Sequence, residues 1–341
     1  VKEAMDSYWT EDYGNPSSLY RPGRRAKDAL DRARQGVARI LGCREEEIIF
    51  TGGGTEAINL AIFGVAKIYS GQGKHLVTSA IEHHAVLHSM EALGKEGFEI
   101  TRIGVDEHGL VSTEEVKQAI RPDTILVSIM YANNEIGTIE PIEEIGKIVK
   151  CVREERKAGG NQTPIFFHTD ACQAAGALPM NVEKLGVDLL AMNGSKIYGP
   201  KGVGCLFLKR SIRLRPLIYG GGQENNLRSG TENVPGIVGF ARAFELAQGE
   251  TEKENERLRE LRDYFIRGMF ESVPKIVLNG HAQKRLSNNV NISILDIEGE
   301  AMLLYLDHYG IEASTGSACD SATLDPSFLF PAGSIALRAR H

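Results

Sequence analysis

The most informative segment is Asn193-Gly194-Ser195-Lys196-Ile197-Tyr198-Gly199-Pro200-Lys201-Gly202, which follows an apolar run. Asp170 lies 26 positions before Lys196, and a glycine-rich loop, Gly52-Gly53-Gly54-Thr55-Glu56, lies further upstream. A lysine can carry the aldehyde of pyridoxal phosphate (PLP) as a Schiff base, and an aspartate can keep its pyridine nitrogen protonated. A glycine-rich helix start can hold its phosphate. Together the three segments predict a PLP site.

Short apolar segments alternate with amphipathic ones along most of the chain. Strands are predicted at 48–50, 75–79, 99–103, 124–131, 165–167, 187–191 and 205–208. Helices are predicted at 55–69, 86–96, 113–120 and after Pro141. This repetition predicts an α/β fold with a mostly parallel sheet covered by helices on both faces. From residue 250 the chain is highly charged, so we expect a large PLP-binding domain over residues 1–250 and a smaller α/β domain over residues 251–341.

Composition excludes several classes of function. A net charge of −6 and a pI near 5.9 argue against nucleic acid as a partner, because nucleic acid binding needs a clustered basic face. The arginines between residues 21 and 39 alternate with aspartates, which predicts a solvated helix face. No apolar run reaches the ~18 residues of a membrane span, and no signal peptide is recognised. Five widely spaced cysteines make a disulfide framework improbable, so we expect a cytoplasmic protein.

The glycine loop leaves two interpretations open. Residues 52–57 match the G-x-G-x-x-A pattern of dinucleotide-binding folds, although that motif alone is weak. The loop lacks the lysine and adjacent hydroxyl residue of a P-loop. Its glycines let backbone N–H groups approach an oxyanion, and Thr55 adds a hydroxyl at the positive helix terminus. The loop therefore predicts an anion site, and only the downstream lysine and aspartate favour PLP over a nucleotide.

Polar residues follow several predicted strands, where open α/β sheets bind ligands. Asp170 could pair with a pyridinium, and Gln173 could bind the phenolic oxygen of the ring. His83 could stack on a planar cofactor or transfer protons. Asn134 lies in Asn133-Asn134-Glu135, whose amides could bind a ring oxygen or a substrate carboxylate, or could simply form a turn. Asp170 could likewise be a structural cap at the strand end.

Two further groups of residues suggest other chemistry. His84 and His88 are spaced i, i+4 and could bind a metal on one helix face, but no third ligand stands nearby. Cys319 lies in Ser314-Thr315-Gly316-Ser317-Ala318-Cys319, a polar segment that predicts an exposed loop with a reactive thiol. By contrast, we predict that Cys43, Cys151 and Cys205 are buried as small apolar residues. A thiol near a PLP site suggests sulfur chemistry on an amino acid.

The combined motifs resemble the group I cysteine desulfurases (IscS/NifS-like), in the class V aminotransferase branch of the fold type I PLP enzymes. The resemblance covers almost the whole chain and is highly specific as a set. It is carried by residues 14–18, the loop 51–59, Glu82-His83, 133–137, Asp170 with Gln173, 196–202, 220–224, 228–231 and 316–319.

The resemblance implies a role for each matching position. Lys196 would carry PLP, His83 would stack on its ring, and Cys319 would accept sulfur from L-cysteine as a persulfide. Other implied cofactor contacts are Gly54, Thr55, Asn134, Asp170, Gln173, Asn193, Ser195 and Thr231. Thr231 would reach the phosphate of the neighbouring subunit in a homodimer. Cys319 would pass sulfur to iron-sulfur scaffold or sulfur-carrier proteins and could serve as a transient iron-sulfur ligand.

Three positions depart from the resembled pattern. Asn193-Gly194-Ser195-Lys196 stands where the family has Ser-Gly-His-Lys, so a histidine near the phosphate and the leaving thiol is missing. The family's opening strand would precede Val1, and the tail 333–341 resembles its Ser-Ile-Arg-Phe-Ser segment only loosely. Arg338 is the candidate for binding the substrate carboxylate. We therefore expect weak turnover of cysteine and a raised KM for this chain.

Other functions remain open at this stage. Within enzymes, the alternatives to a cysteine desulfurase are a selenocysteine lyase and a class V aminotransferase, but an aminotransferase needs no thiol in a loop. A different class of function is a PLP-binding but catalytically deficient fragment that acts as an interaction protein.

Overall fold

The computed structural model describes residues 1–315 and the backbone of residues 334–338. Seven of the described strands form a large sheet in the order β1-β7-β6-β5-β4-β2-β3. They are β1 (Ile48–Thr51), β2 (His75–Ser79), β3 (Glu99–Ile103), β4 (Thr124–Ser128), β5 (Phe166–Asp170), β6 (Leu189–Asn193) and β7 (Gly204–Leu208). Neighbouring strands are parallel, except that β7 is antiparallel to both β1 and β6. The prediction of a mostly parallel sheet is confirmed.

Helices cover both faces of this sheet, as predicted. The described helices are α1 (Lys2–Asp6), α2 (Arg21–Leu41), α3 (Gly54–Tyr69), α4 (His84–Lys95), α5 (Thr113–Ala119), α6 (Ile142–Ala158), α7 (Val182–Leu185), α8 (Val234–Ser272) and α9 (Gly299–His308). Of these, α9 lies outside this sheet and packs against residues 276–294. Phe50 and Phe207 pack in one apolar core with α2, α6 and α8, while the adjacent Ile49 and Leu206 pack in another with α3 and α4. Alternate residues of a strand point to opposite faces, so an apolar strand supplies both cores.

A second sheet lies beyond α8. Its order is β10-β11-β9-β8, and all its neighbouring strands are antiparallel. The strands are β8 (Ile276–Leu278), β9 (Asn289–Ile294), β10 (Ala313–Ser314) and β11 (Ser334–Arg338). Residue 250, the predicted domain boundary, lies inside α8, which runs without a break for 39 residues. The division into domains 1–250 and 251–341 stays a prediction.

The second sheet contacts the loop that follows β4. The side-chain amides of Asn289 and Asn291, both on β9, donate to the carbonyl oxygen of Glu135 at 2.9 and 3.2 Å. The N–H of Leu286 donates to the carbonyl oxygen of Gly137 at 2.9 Å. Gly137 has φ 73°, and a Cβ at this position would lie 2.6 Å from Asn289. This contact therefore requires glycine at residue 137.

The prediction of a solvated helix face is confirmed for the arginines between residues 21 and 39, which are exposed, except for Arg34. The Arg34 guanidinium forms a bidentate pair with the buried carboxylate of Glu224, at 2.9 and 2.6 Å. The prediction that Cys151 is buried was wrong, because Cys151 is exposed on α6; Cys205 is buried as expected and Cys43 is half-buried. In the part of the chain that the structure describes, no helix is both long enough and apolar enough to cross a membrane.

Candidate active site

The predicted site residues gather at one edge of the large sheet. Because β1, β2, β4, β5 and β6 run in the same direction, their carboxyl ends all meet this edge. Asp170 is the last residue of β5 and Asn193 the last of β6, while His83 and Asn134 follow β2 and β4. Gly54 begins α3 just after β1. The alternation of strands and helices thus brings together residues as far apart in the chain as Gly54 and Asn193.

The glycine loop packs closely against the neighbouring strands. The register of the sheet aligns Thr51, Gly204 and Asn193 across β1, β7 and β6. A Cβ on Gly204 would lie 2.5 Å from the carbonyl carbon of Gly53, and one on Gly54 would lie 2.6 Å from the Sγ atom of Cys172. Glycine is needed at both positions because any side chain would displace the loop.

The start of α3 can bind an anion. The first N–H groups of a helix have no partner within the helix, and the helix dipole adds partial positive charge there. Thr55 is exposed in this first turn, where its hydroxyl can add a donor. The structure therefore offers the predicted phosphate position at Gly54 and Thr55, within the closely packed loop.

An ion pair beside this loop was not foreseen. The carboxylate of Glu56 accepts a hydrogen bond from the N–H of Gly52 at 2.9 Å and from Arg228 Nε at 2.9 Å. Without Arg228, the Glu56 carboxylate would oppose a phosphate at the start of α3. Arg228 offsets that charge, and Glu56 raises the pKa of the guanidinium in turn. A salt bridge between residues so far apart in sequence leaves no local pattern to detect.

Lys196 lies in a tight turn directly after β6. The side chain of Asn193 accepts a hydrogen bond from the N–H of Ser195 at 3.3 Å, which caps the short 3-10 helix Gly194–Ile197. The turn packs against α8, since a Cβ on Gly194 would lie 3.2 Å from Phe240. The side chain of Lys196 is exposed, and with Gln173 it lines a cavity of about 370 Å³ that extends along α8. Asp170, His83 and the glycine loop do not line this cavity. The predicted lysine is thus accessible and is held by a turn that packs against α8.

Asp170 is the most buried of the predicted polar contacts. Its side chain is 5% exposed, and Oδ1 accepts a hydrogen bond from the N–H of Cys172 at 2.9 Å. Burial, with Asp170 next in effect, raises the pKa of the Cys172 thiol well above its ordinary value. Cys172 therefore stays a protonated thiol beside the Asp170 carboxyl group. A buried carboxylate at a strand end fits a cationic ring nitrogen.

His83 and Asn133 have hydrogen bonds that assign their orientation. His83 caps α4, and its Nδ1 atom accepts the N–H of Ala85 at 3.1 Å, so the neutral ring carries its proton on Nε2. Asn133 is structural: its Oδ1 atom accepts the N–H groups of Glu135 and Ile136 at 2.8 and 2.9 Å. The turn interpretation therefore applies to Asn133, and the half-buried Asn134 is the residue of this loop that a ligand could contact.

Three predicted residues are not joined to this cluster in the described structure. Thr231 is exposed in the segment before α8. Arg338 lies on β11, where only the backbone is described. Cys319 lies outside the described residues. Among the residues that are described, no group of three or more His, Cys, Asp or Glu side chains could hold a metal ion.

Comparison with known proteins agrees with this geometry. Residues 1–330 match the family model "Aminotransferase class-V". The chain belongs to this family. Cysteine desulfurase IscS of Dictyoglomus turgidum is 50% identical over 341 residues, which is 100% of this chain and 84% of that protein. A solved NifS-like protein has 37% identity and a TM-score of 0.90, covering 99% of this chain and 89% of its own. The structure titled "SspA in complex with cysteine" has 32% identity and a TM-score of 0.83, covering 98% and 93%.

Membership of the class V family confirms two predictions made from the sequence. The resemblance to cysteine desulfurases within this family is confirmed, and so is PLP as the cofactor. The residues present fit PLP: a glycine cradle that a Cβ would fill, a buried carboxylate at a strand end and an accessible lysine. The roles of individual site residues stay predictions.

Proposed function

We propose that this chain is a cysteine desulfurase, which converts L-cysteine to L-alanine and transfers the sulfur to Cys319. The observation that carries the proposal is the convergence of the Lys196 turn, Asp170 and the start of α3 at one sheet edge. This arrangement occurs in a chain that is 50% identical over its full length to a relative named cysteine desulfurase. A related structure titled as a complex with cysteine supports cysteine as the substrate.

The site residues divide the work. The amino group of Lys196 would hold the cofactor and can hold a proton at Nζ, while the Asp170 carboxylate would pair with the ring nitrogen. The amides at Gly54 and Thr55 would hold the phosphate, and the His83 ring would lie against the cofactor. When bound, PLP withdraws electrons from the substrate Cα, which weakens the bonds to that carbon and allows the Cβ–S bond to break.

The sulfur transfer balances without an added oxidant. The Cys319 thiolate attacks the substrate sulfur, an S–S bond forms and the Cβ–S bond breaks, leaving its electron pair on the substrate carbon. Protonation of that carbon gives alanine, and Cys319 is left as a persulfide. The atoms balance: the thiol of Cys319 and L-cysteine together give the Cys319 persulfide and alanine, which carries a new C–H bond in place of its C–S bond.

We also propose a homodimer that works in the cytoplasm and donates sulfur to an iron-sulfur scaffold or sulfur-carrier protein. Thr231 is exposed, so it is available to a neighbouring subunit. The segment 9–20 exposes large apolar side chains that a second subunit would cover, among them Trp9, Tyr13 and Leu19. The free thiols of Cys43, Cys151, Cys172 and Cys205 support a reducing compartment.

Two variants test the proposed function. Lys196→Ala should lose the visible absorption of the lysine-bound cofactor while its far-UV circular dichroism stays unchanged, because the Lys196 side chain is exposed. Cys319→Ala should keep that absorption and lose persulfide and sulfide production from L-cysteine. Cys151→Ala is the matched control, since Cys151 is an exposed thiol on α6, and it should leave sulfide production intact. Undiminished sulfide release by Cys319→Ala would refute Cys319 as the acceptor.

A further inference from the structure

Glu82 is a buried carboxyl group directly before His83. Its side chain is 5% exposed, and Oε1 accepts two hydrogen bonds, from the hydroxyl of Ser79 at 2.7 Å and from the N–H of Met130 at 2.8 Å. Ser79 ends β2, and Met130 lies in the segment that leaves β4. Glu82 therefore joins the ends of the two strands that lead to His83 and Asn134. No motif in the sequence pointed to this role.

The second oxygen of Glu82 is in a different position. Oε2 is buried and has no hydrogen-bond partner in the described structure. The titratable groups that act on this carboxyl from neighbouring elements are Asp170 on β5 and Glu140 in the segment after β4, and both are acidic. Both donors to Oε1 are neutral. An ionised Glu82 would thus be a buried charge without a cation and with two acidic neighbours.

Elementary electrostatics favours a proton on Glu82. Burying an unpaired carboxylate is so costly that the group takes up a proton instead. Burial raises the pKa of Glu82 to about 8, and Asp170 and Glu140 add to this effect. Of two neighbouring carboxyl groups in one site, the one with the poorer environment for charge stays neutral.

We propose that Glu82 is a positioning residue that carries a proton at neutral pH and leaves Asp170 as the single negative charge at the ring nitrogen of PLP. This inference rests on the proposed function for the place of the ring. Ionisation of Glu82 in alkaline solution would add a second negative charge beside Asp170. The lysine-bound cofactor would then hold its own proton more tightly, so the two titrations are coupled.

The first measurement is the protonation state itself. Infrared difference spectra between the wild type and Glu82→Gln should contain the carbonyl stretch of a protonated carboxyl group at neutral pH, and this band should fade as the pH rises well above 8. The glutamine keeps the carbonyl acceptor for Ser79 and Met130. If it does not fold, Glu82→Met removes the carboxyl at similar volume. Absence of the band at neutral pH would overturn the proposal.

The second measurement is the pH titration of the visible absorption of the holoenzyme. In the wild type the absorption should change over a wider pH range than a single titrating group would give, because two coupled groups lose their protons. In Glu82→Gln the change should follow the curve of one group. Glu140→Gln is the comparison variant: Glu140 is another buried carboxyl with a pKa of about 8, but it accepts the N–H of Val111 and leaves Glu82 in place. Because Glu140 contributes to the raised pKa of Glu82, this variant should keep the broad curve but shift it to lower pH.

The outcomes separate this inference from the proposed function. A protonated Glu82 with identical titrations in wild type and Glu82→Gln would overturn the coupling to Asp170. A holoenzyme with the predicted titrations but without alanine production from cysteine would refute the desulfurase and leave the role of Glu82 standing. A chain that binds no PLP would refute the proposed function and, with it, the role of Glu82 at the ring.

Discussion

Replacing Glu224 by glutamine should cost this protein much of its stability. The Glu224 side chain is 2% exposed and that of Arg34 is 17% exposed, so their ion pair is largely removed from water. Glu224 also accepts the N–H of Phe50 at 2.8 Å, which links α2, β1 and the segment before Thr231. Burial disfavours the charge on Arg34, but Glu224 more than offsets this and raises the pKa of the guanidinium.

The expected magnitude follows from the charge that is left behind. Glu224→Gln keeps an acceptor for Phe50 but removes the only carboxylate bound to the Arg34 guanidinium in the described structure. Breaking a buried ion pair by removing one partner typically costs about 3–5 kcal/mol, because the remaining charge is uncompensated. We expect a loss in this range. Urea unfolding of the apoprotein, followed by far-UV circular dichroism, measures it.

Two controls identify the cause of that loss. Glu254→Gln removes a carboxylate from a partly exposed pair with Arg257 and should change the stability by less than about 1 kcal/mol. The double variant Arg34→Met with Glu224→Gln removes both charges and should be more stable than Glu224→Gln alone. A Glu224→Gln protein as stable as the Glu254→Gln protein would refute the reasoning. So would a double variant whose loss of stability equals the sum of the losses measured for Arg34→Met and Glu224→Gln separately.

Two further outcomes are expected. Gly204→Ala should weaken PLP binding tenfold or more, roughly 1.4 kcal/mol, because the added Cβ would lie 2.5 Å from the backbone of Gly53. Gly36→Ala is the control, because Gly36 has open space around it, and it should not change the affinity. A spectroscopic titration with PLP measures both. Burial lowers the pKa of His168 to about 3, below its ordinary value of 6.5. As the pH falls from 6.5 towards 3, this histidine binds a proton in the unfolded chain but not in the folded one, so the stability of the fold decreases. His168→Gln should therefore escape roughly 3 kcal/mol of the destabilisation between pH 7 and pH 4, and equal acid sensitivity in urea melts of both proteins would contradict this.

The parts of the site that lie at strand ends could be predicted from the sequence. Asp170 and Lys196 each follow an apolar run, and in a parallel sheet such ends share one edge. The glycine loop was predicted from residues 52–54, and the structure shows close packing at Gly54; the matching close approach at Gly204 was not predicted. The direction of β7 could not be predicted. It is as apolar as β6 but antiparallel to it, because the short connection through residues 194–203 turns the chain back beside β6.

Interactions between distant residues could not be predicted either. Arg34 looked like one of several surface arginines, and only the fold brings Glu224, 190 positions away, against it. Glu56 and Arg228 are separated by 172 positions. The sequence identifies Glu82 only as the residue before His83, since its hydrogen bond from the N–H of Met130 depends on the segment after β4 packing beside it. Periodicity reports which face of an element is buried but not which polar group meets another across the core.

The unbroken length of α8 has a mechanical consequence. Its 39 residues span roughly 58 Å at 1.5 Å per residue, and its first half packs against the Lys196 turn while its second half holds the second sheet. A rod without a proline or a kink between its halves has no hinge. Any tilt of the second sheet must therefore displace the turn that carries Lys196, or be confined to Val273 and the residues after it, where the helix has ended.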